Sequence, residues 1–279
     1  MRTLRTAAAV SAAAALALAG CSGSTTSTSD SSAPAADSGV VTLTVGASPS
    51  PHAKILQYID DNLAADAGID IEIVEYSDYI LPNTALNDGD LDANFYQTVP
   101  YLEQQERENG YDFEPGTGVH LEPLAVYSSK IKDLTDLPAG ATVGIINDVT
   151  NQSRALKLLA DQGLVKLPTD GSDANVNNVT ALKDFTFQEV EGPQLVRALN
   201  DVDVAVINGN YAQEGGLTQA NDAIVVESPE NNPAVNVLVW KAGANKAGAI
   251  AELEKLLHSD EVKQFIKQTW ADGSVIPAF

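Results

Sequence analysis

The amino-acid sequence predicts an α/β protein with largely parallel sheets, and three observations carry that prediction. Short apolar runs alternate along the chain with stretches of helical apolar spacing. Small polar residues gather just after the apolar runs, where the strands of such a sheet hand over to loops and helix starts. The 279-residue chain contains 1 cysteine, so its core must form without an internal disulfide, which a chain of this length can do.

The elements follow in order. Val40–Gly46 (VVTLTVG) is a predicted strand, and His52–Leu63 carries Ile55, Leu56, Ile59 and Leu63 at helical spacing. Ile69–Val74 (IDIEIV) alternates apolar with polar, as a half-buried strand does. A helix is expected over Tyr79–Leu86, a short strand over Ala93–Tyr96, and a helix from Pro100, a residue tolerated at a helix start, through Arg107. Leu121–Tyr127 and Thr142–Ile146 read as strands. The stretch NDVTNQSRALKLLADQG (Asn147–Gly163) opens with Asp148, Thr150 and Asn151, residue types that accept hydrogen bonds from free backbone N–H groups at a helix start. Ala155, Leu156, Leu158, Leu159 and Leu164 then recur at helical spacing, and Gly163 ends the run. Strands are expected at Phe185–Val190, Val202–Ile207, Ala223–Val226 and Val235–Trp240, with a helix at Pro193–Leu199. Amphipathic helices at Ala247–Leu257 and Glu261–Trp270 complete the pattern.

The N-terminal stretch has a different character. Arg2 and Arg5 precede an uncharged apolar run from Ala7 to Gly20, too short to span a membrane and suited to a secretory signal. The run ends Leu18-Ala19-Gly20-Cys21, similar to a bacterial lipobox, so residues 1–20 are expected to be a lipoprotein signal peptide and Cys21 the lipidated N-terminus of the mature chain. Residues 21–39 are Ser/Thr-rich, with almost no large apolar side chain, and are expected to form a disordered tether between lipid and folded domain. The expected location is extracytoplasmic, on the membrane, held by acyl chains.

The formal charge is −22, and from Cys21 onward it is −24, with 14 basic against 38 acidic residues. Nucleic acid is excluded as a partner, because phosphate binding needs a basic surface. Enzyme signatures are missing: there is no G-x-S-x-G elbow, H-E-x-x-H pair or phosphate-binding loop. The spacing of His52, His120 and the carboxylates supports no metal site, and Asp88, Asp90 and Asp92 reproduce only part of a calcium loop, so no metal or cofactor is expected.

What remains is binding chemistry. Arg154 adds positive charge near a helix start where the backbone dipole already supplies it. By itself this fits a solvated arginine; the other reading is an anion held by the backbone N–H groups and the guanidinium together. An amino acid is a zwitterion that asks for an arginine, for oxygen acceptors around its ammonium, and for an apolar or aromatic pocket. Arg154 with Asn151, then Asn208, Asn210 and Asn236, then Tyr79, Phe95, Tyr96 and Tyr101 offer that set.

Several segments resemble the methionine-binding lipoproteins of ABC importers, the NlpA family. They are GASPSPHAKIL (Gly46–Leu56), YSDYILPNTALNDGDLDANFYQTVPYL (Tyr76–Leu102), NDVTNQSRALKLL (Asn147–Leu159), DVDVAVINGNYAQEGGL (Asp201–Leu217) and NNPAVNVLV (Asn231–Val239). The resemblance spans almost the whole mature chain. It implies a periplasmic-binding-protein fold of type II character, with two α/β lobes joined by a two-segment hinge. Residues 40–127 plus 237–279 would form lobe 1 and 128–236 lobe 2, with crossings near Tyr127 and Val237. It implies that Arg154 grips the ligand carboxylate, that Asn151, Asn208 and Asn236 complete a polar cage, and that the aromatics of the DANFYQ segment, Phe95 and Tyr96, face the ligand side chain. It further implies a monomer that passes methionine to an ABC permease and its ATPase subunit. The sequence departs from the family pattern at Thr98, Val149 and Ala234, where the family carries a histidine, a proline and an aromatic. The alternative is a receptor on the same fold for another amino acid, a methionine-containing dipeptide, or a metal or anion.

Overall fold

A computed structural model of the protein describes residues 39–279. The expected signal peptide, Cys21 and the expected tether as far as residue 38 lie outside the described residues. Among those described, no helix is long and apolar enough to cross a membrane.

The chain begins with β1 (Val41–Ala47) and α1 (His52–Ile59), which runs on as a π and then a 3-10 turn to Ala67. Gly68, at φ 71°, ends that run in a left-handed conformation that suits glycine. β2 (Ile69–Glu75), α2 (Leu81–Asp88), β3 (Ala93–Thr98), α3 (Val99–Asn109), β4 (Phe113–Pro115) and β5 (His120–Leu121) follow. β6 (Ala125–Tyr127) opens a second sheet, continued by β7 (Ala141–Ile146), α4 (Val149–Asp161), the hairpin β8 (Val165–Lys166) and β9 (Thr180–Ala181), and β10 (Phe185–Val190). α5 (Leu195–Ala198), β11 (Val204–Ile207), α6 (Gly209–Glu214), α7 (Gln219–Asp222) and β12 (Ala223–Val226) complete that part. The chain then returns to the first sheet with β13 (Val235–Lys241), α8 (Ala247–Leu257), α9 (Asp260–Thr269) and β14 (Ile276–Pro277).

The first sheet has the order β14-β5-β13-β3-β1-β2, with β4 also on β13; the second has the order β10-β7-β11-β6-β12. The sheets are mixed, where largely parallel ones were expected. β1 runs parallel to β2 and β3, and β7 parallel to β10 and β11, but β13 is antiparallel to β3 and β6 antiparallel to β11. The reason is the crossing. A strand that enters a lobe from the cleft must run away from it, whereas β1, β3, β7 and β11 run toward it.

The expected strand Leu121–Tyr127 is two strands in different sheets, broken at Glu122-Pro123-Leu124. The first crossing is therefore at residues 122–124, a few residues before Tyr127, and Ala125–Tyr127 belong to the second lobe. The return crossing covers residues 227–234, so Val235 and Asn236 already belong to the first sheet. The sequence shows one apolar run in the first case because both halves are buried.

Each sheet is covered on both faces. In the first lobe, α1, α8 and α9 pack Ile55, Leu56, Leu253, Val262 and Ile266 on one face, and Leu86 and Leu102 of α2 and α3 cover the other. In the second, Leu156 and Leu159 of α4 pack on one face, and Leu195 and Tyr211 of α5 and α6 on the other. Side chains also join the lobes across the cleft. Gln213 Oε1 on α6 accepts from Ser50 Oγ at 2.8 Å and from the Trp270 indole at 2.8 Å, and Thr150 on α4 bonds Gln104 on α3.

Gln213→Ala leaves the Trp270 N–H without this acceptor. The expected outcome is a red shift of Trp270 emission and a loss of about 1–3 kcal/mol in denaturant unfolding. Trp240, whose indole bonds Glu114 instead, serves as the internal reference.

Candidate functional site

The cleft-facing ends of β1, β3, β7 and β11 bring their following loops together with the two crossings, as expected where such strands end. Tyr79, Tyr96, Gln97, Thr98 and Tyr101 from the first lobe, Asn151, Arg154, Asn208, Gly209 and Asn210 from the second, and Glu122 and Asn236 beside the crossings enclose one cavity. The tyrosines form its aromatic wall. Tyr96 and Tyr101 both donate to the Tyr79 carbonyl, at 2.9 and 3.0 Å. Tyr79 in turn donates to Asn210 Oδ1 at 2.5 Å and stacks on Tyr211 with centroids 4.8 Å apart, both across the cleft. Burial raises the hydroxyl pKa of Tyr79 and Tyr96 well above the ordinary tyrosine value, so both stay neutral donors.

Glu122 is the acidic pole. It follows β5 directly, on the first crossing, and is 6% exposed. Its Oε1 lies 3.0 Å from His120 Nε2, 3.3 Å from His52 Nε2 and 3.3 Å from Asn236 Nδ2. Burial raises the Glu122 pKa, while His52, Arg154 and the Asn210 backbone amide oppose that shift. Gly209 makes room for it, since a Cβ there would lie 2.9 Å from Glu122 Cβ. The sequence reading missed Glu122; its only signal is a carboxylate directly before the Pro123 break and two residues after His120.

Arg154 is the basic pole. α4 begins at Val149, so Arg154 sits in its second turn. Its Nε donates to Glu227 at 2.9 and 3.2 Å, and its Nη2 to Glu227 Oε2 at 2.6 Å and to the Glu122 carbonyl at 2.7 Å. Nη1 is the arm left without a protein partner among the described residues. The side chain is 14% exposed, so the solvated reading fails. Two protein carboxylates stand at this end of the helix: Asp148 caps α4 by accepting from the Asn151 N–H at 2.9 Å, and Glu227 pairs with Arg154.

Asn151 accepts from Asn208 Nδ2 at 2.9 Å, and Asn236 Oδ1 lies 3.1 Å from His52 Nε2. Arg154, Asn151, Asn208, Asn236, Tyr79, Tyr96 and Tyr101 thus meet at one cavity. Phe95 does not join them. Successive strand residues face opposite sides, and while Tyr96 faces the cavity, Phe95 is fully buried in the first-lobe core, edge-on to His52 at 4.9 Å and His120 at 5.4 Å. Asn94 and Gln97 share a carboxamide network with Asn83 that fastens α2 to β3. Asp92 accepts from the Thr44 amide and Lys246, a structural role.

The enclosed volume is about 30 Å³, room for a single water. Small-molecule sites run from about 300 to 1,000 Å³, so the cavity as it stands is far smaller than such a site.

A family model described as NlpA lipoprotein matches residues 43–279. The chain belongs to the NlpA lipoprotein family. The methionine-binding lipoprotein MetQ of Bacillus subtilis is 37% identical over 248 residues, covering 87% of this chain and 90% of that protein. Among solved structures, a lipoprotein of Actinomyces odontolyticus is 71% identical with a TM-score of 0.84, covering 86% of this chain and all of that one. A nutrient binding protein of Burkholderia cenocepacia, solved bound to methionine, is 37% identical with a TM-score of 0.80, covering 85% of this chain and 100% of that one. The two-lobe fold of this NlpA chain is that of periplasmic binding proteins.

His52, His120 and Glu122 place three ligating atoms within 4.8 Å of one another, a grouping that their sequence spacing did not suggest. They do not fit a resident metal. A ligated imidazole donates its second N–H to an acceptor, and neither Nδ1 has a partner among the described residues. The pattern suits neutral imidazoles that carry the proton on Nε2 and donate it toward Glu122. Burial lowers His52 to about 4 and His120 to about 3, so both stay neutral at pH 7.

A depressed histidine pKa means that the unfolded chain of this NlpA protein binds more protons between pH 6.5 and about 4. Stability contributed by His52 and His120 is therefore present above pH 6.5 and lost as pH falls through that window. The raised Glu122 pKa acts with the opposite sign. His120→Gln is expected to flatten the fall in melting temperature between pH 7 and pH 4.5, measured by calorimetry against the parent.

Proposed function

We propose that this chain is a lipid-anchored, extracytoplasmic receptor that captures methionine or a closely related amino acid between its lobes. The observation that carries this reading is the pair of opposite poles on one cavity: the free Nη1 of Arg154 and the carboxylate of Glu122, with tyrosines between them. A ligand carboxylate would meet Arg154, where Asn151 and Asn208 add amide groups. A ligand ammonium would meet Glu122 and Asn236. Tyr79, Tyr96 and Tyr101 would line the thioether side chain, which packs well on aromatic edges. Phe95 would act behind them, by holding the His52 ring.

The family relatives named for methionine binding, and the methionine held by the Burkholderia protein, support the ligand. The Leu18-Ala19-Gly20-Cys21 stretch supports attachment of the lipid at Cys21. A relative from Coxiella burnetii is described as the periplasmic substrate-binding protein of an ABC transporter. By analogy, the closed receptor acts as a monomer and docks on a permease whose separate ATPase subunit drives uptake. Turnover by this chain is not expected: the histidines beside the cavity are committed to Glu122, and none stands over a nucleophile.

Arg154→Ala is expected to weaken methionine binding by about 2–4 kcal/mol, since it removes a charge-assisted donor and leaves Glu227 unpaired. The check is titration calorimetry on protein unfolded and refolded to strip any carried ligand. An unchanged affinity would take Arg154 out of the site.

A further inference from the structure

The two oxygens of Glu122 have unlike surroundings. Oε1 faces the first lobe, where His120 Nε2 at 3.0 Å, His52 Nε2 at 3.3 Å and Asn236 Nδ2 at 3.3 Å converge on it. The His52 N–H is shared with Asn236 Oδ1 at 3.1 Å, so His120 is the closer and undivided donor. Oε2 receives no side-chain donor among the described residues and lies toward Gly209, where a Cβ would stand 3.0 Å from it. A carboxylate accepts at both oxygens, so Oε2 is the acceptor left to the cavity that Glu122 lines.

Neither imidazole has another polar task. Both rings are buried, neither lines the cavity, and neither Nδ1 has a partner among the described residues. Phe95 makes T-shaped contacts with both, at interplanar angles of 84° and 87°, which fixes the planes of the two Nε2–H bonds. His52 is placed by the start of α1 and His120 by β5, so first-lobe elements deliver both donors to a carboxylate on the crossing. Apolar side chains would fill this space at lower cost, because a buried polar group is favourable only when it is hydrogen-bonded. A donor aimed at a carboxylate favours its charged form. The other groups that bear on Glu122 are Arg154 of α4, the Asn210 amide and Glu214 of α6, and the Tyr79 hydroxyl. Burial pushes the Glu122 carboxyl above its ordinary value, so each donor counts.

We infer that His52 and His120 are positioning residues for ligand capture: their Nε2–H groups hold Glu122 Oε1 and keep the carboxylate an anion whose Oε2 is presented to the ligand ammonium. This rests on the reading above that Glu122 meets the ammonium, and the test separates the two. A carboxylate that must be ionised supplies affinity above its pKa, and that affinity is lost as pH falls through it. Removing a donor makes the charge harder to keep, so the loss begins at higher pH. Titration calorimetry with L-methionine on the refolded protein follows affinity from about pH 8 down to about pH 5, a range in which both imidazoles stay neutral. In His120→Leu the midpoint of the acid fall is expected to move up by about one pH unit, the size of one charge-assisted hydrogen bond. His120→Gln returns an N–H near the place of Nε2 and is expected to restore the parent midpoint. Glu122→Gln cannot ionise, and its weakened binding is expected to be flat with pH. A deficit in His120→Leu that is the same at every pH would show a ring that only packs, and would overturn the inference; so would an unmoved midpoint. If His120→Leu does not fold, imidazole nitrogen NMR of the parent decides. Protons on Nε2 of both rings are the expected result, and a proton on either Nδ1 overturns it. If the parent and Glu122→Gln bind methionine equally, Glu122 does not meet the ammonium and the inference falls while the amino-acid reading stands. If the parent binds no methionine, both fall.

Discussion

Arg154 ties together three parts of the chain that are distant in sequence. It rises from α4 in the second lobe, donates to the Glu122 carbonyl on the first crossing, and pairs with Glu227 at the start of the return crossing. Glu227 closes the loop by accepting from the Leu124 amide at 3.0 Å. Both crossings and the helix that points at the cleft are thus referred to one guanidinium. Breaking a partly buried pair of this kind leaves a stranded charge, which costs about 3–5 kcal/mol. The arrangement also fixes the direction of Nη1. Such preorganisation lowers the ordering entropy of binding.

The acidic pole is held with equal economy. A carboxylate 6% exposed would be expensive to ionise without donors. Two neutral imidazoles, an Asn side chain and the Arg154 charge supply them, and Gly209 lets the second lobe approach closely enough to take part. A protein of formal charge −22 can therefore present both signs inside one small cavity. The acidic surface is screened over about 8 Å at physiological salt, so the local donors decide what the cavity recognises.

The sequence disclosed local features well. The strand at Phe185–Val190 and the helix at Ala247–Leu257 have the boundaries that their apolar spacing implied. The Asp148 cap was legible because capping acts within three residues. Contacts between distant positions were not. Glu227 lies 73 residues from Arg154, in a VVES stretch that reads as the end of an ordinary strand. Glu122 looks like any surface acid until β13 and α1 bring Asn236 and His52 against it. Phe95 was misplaced for a related reason. β3 is buried on both faces, so no polar alternation marks which side of Asn94-Phe95-Tyr96 meets the cavity. Short helices such as α6 were invisible because six residues carry too little periodicity to register.

The division of labour between lobes follows from where these groups are rooted. Each lobe has its own apolar core, so parting them leaves both cores intact. Across the cleft run polar contacts, Tyr79 with Asn210, Ser50 and Trp270 with Gln213, Thr150 with Gln104, and the Tyr79–Tyr211 ring stack. Each hydrogen bond is worth about 0.5–1.5 kcal/mol net, less than the apolar burial that holds either core together. Arg154 and Glu122 sit at or against the crossings. Tyr79, Tyr96 and Tyr101 stand on the opposing lobe. The aromatic wall and the two charged poles are thus rooted in different parts of the chain.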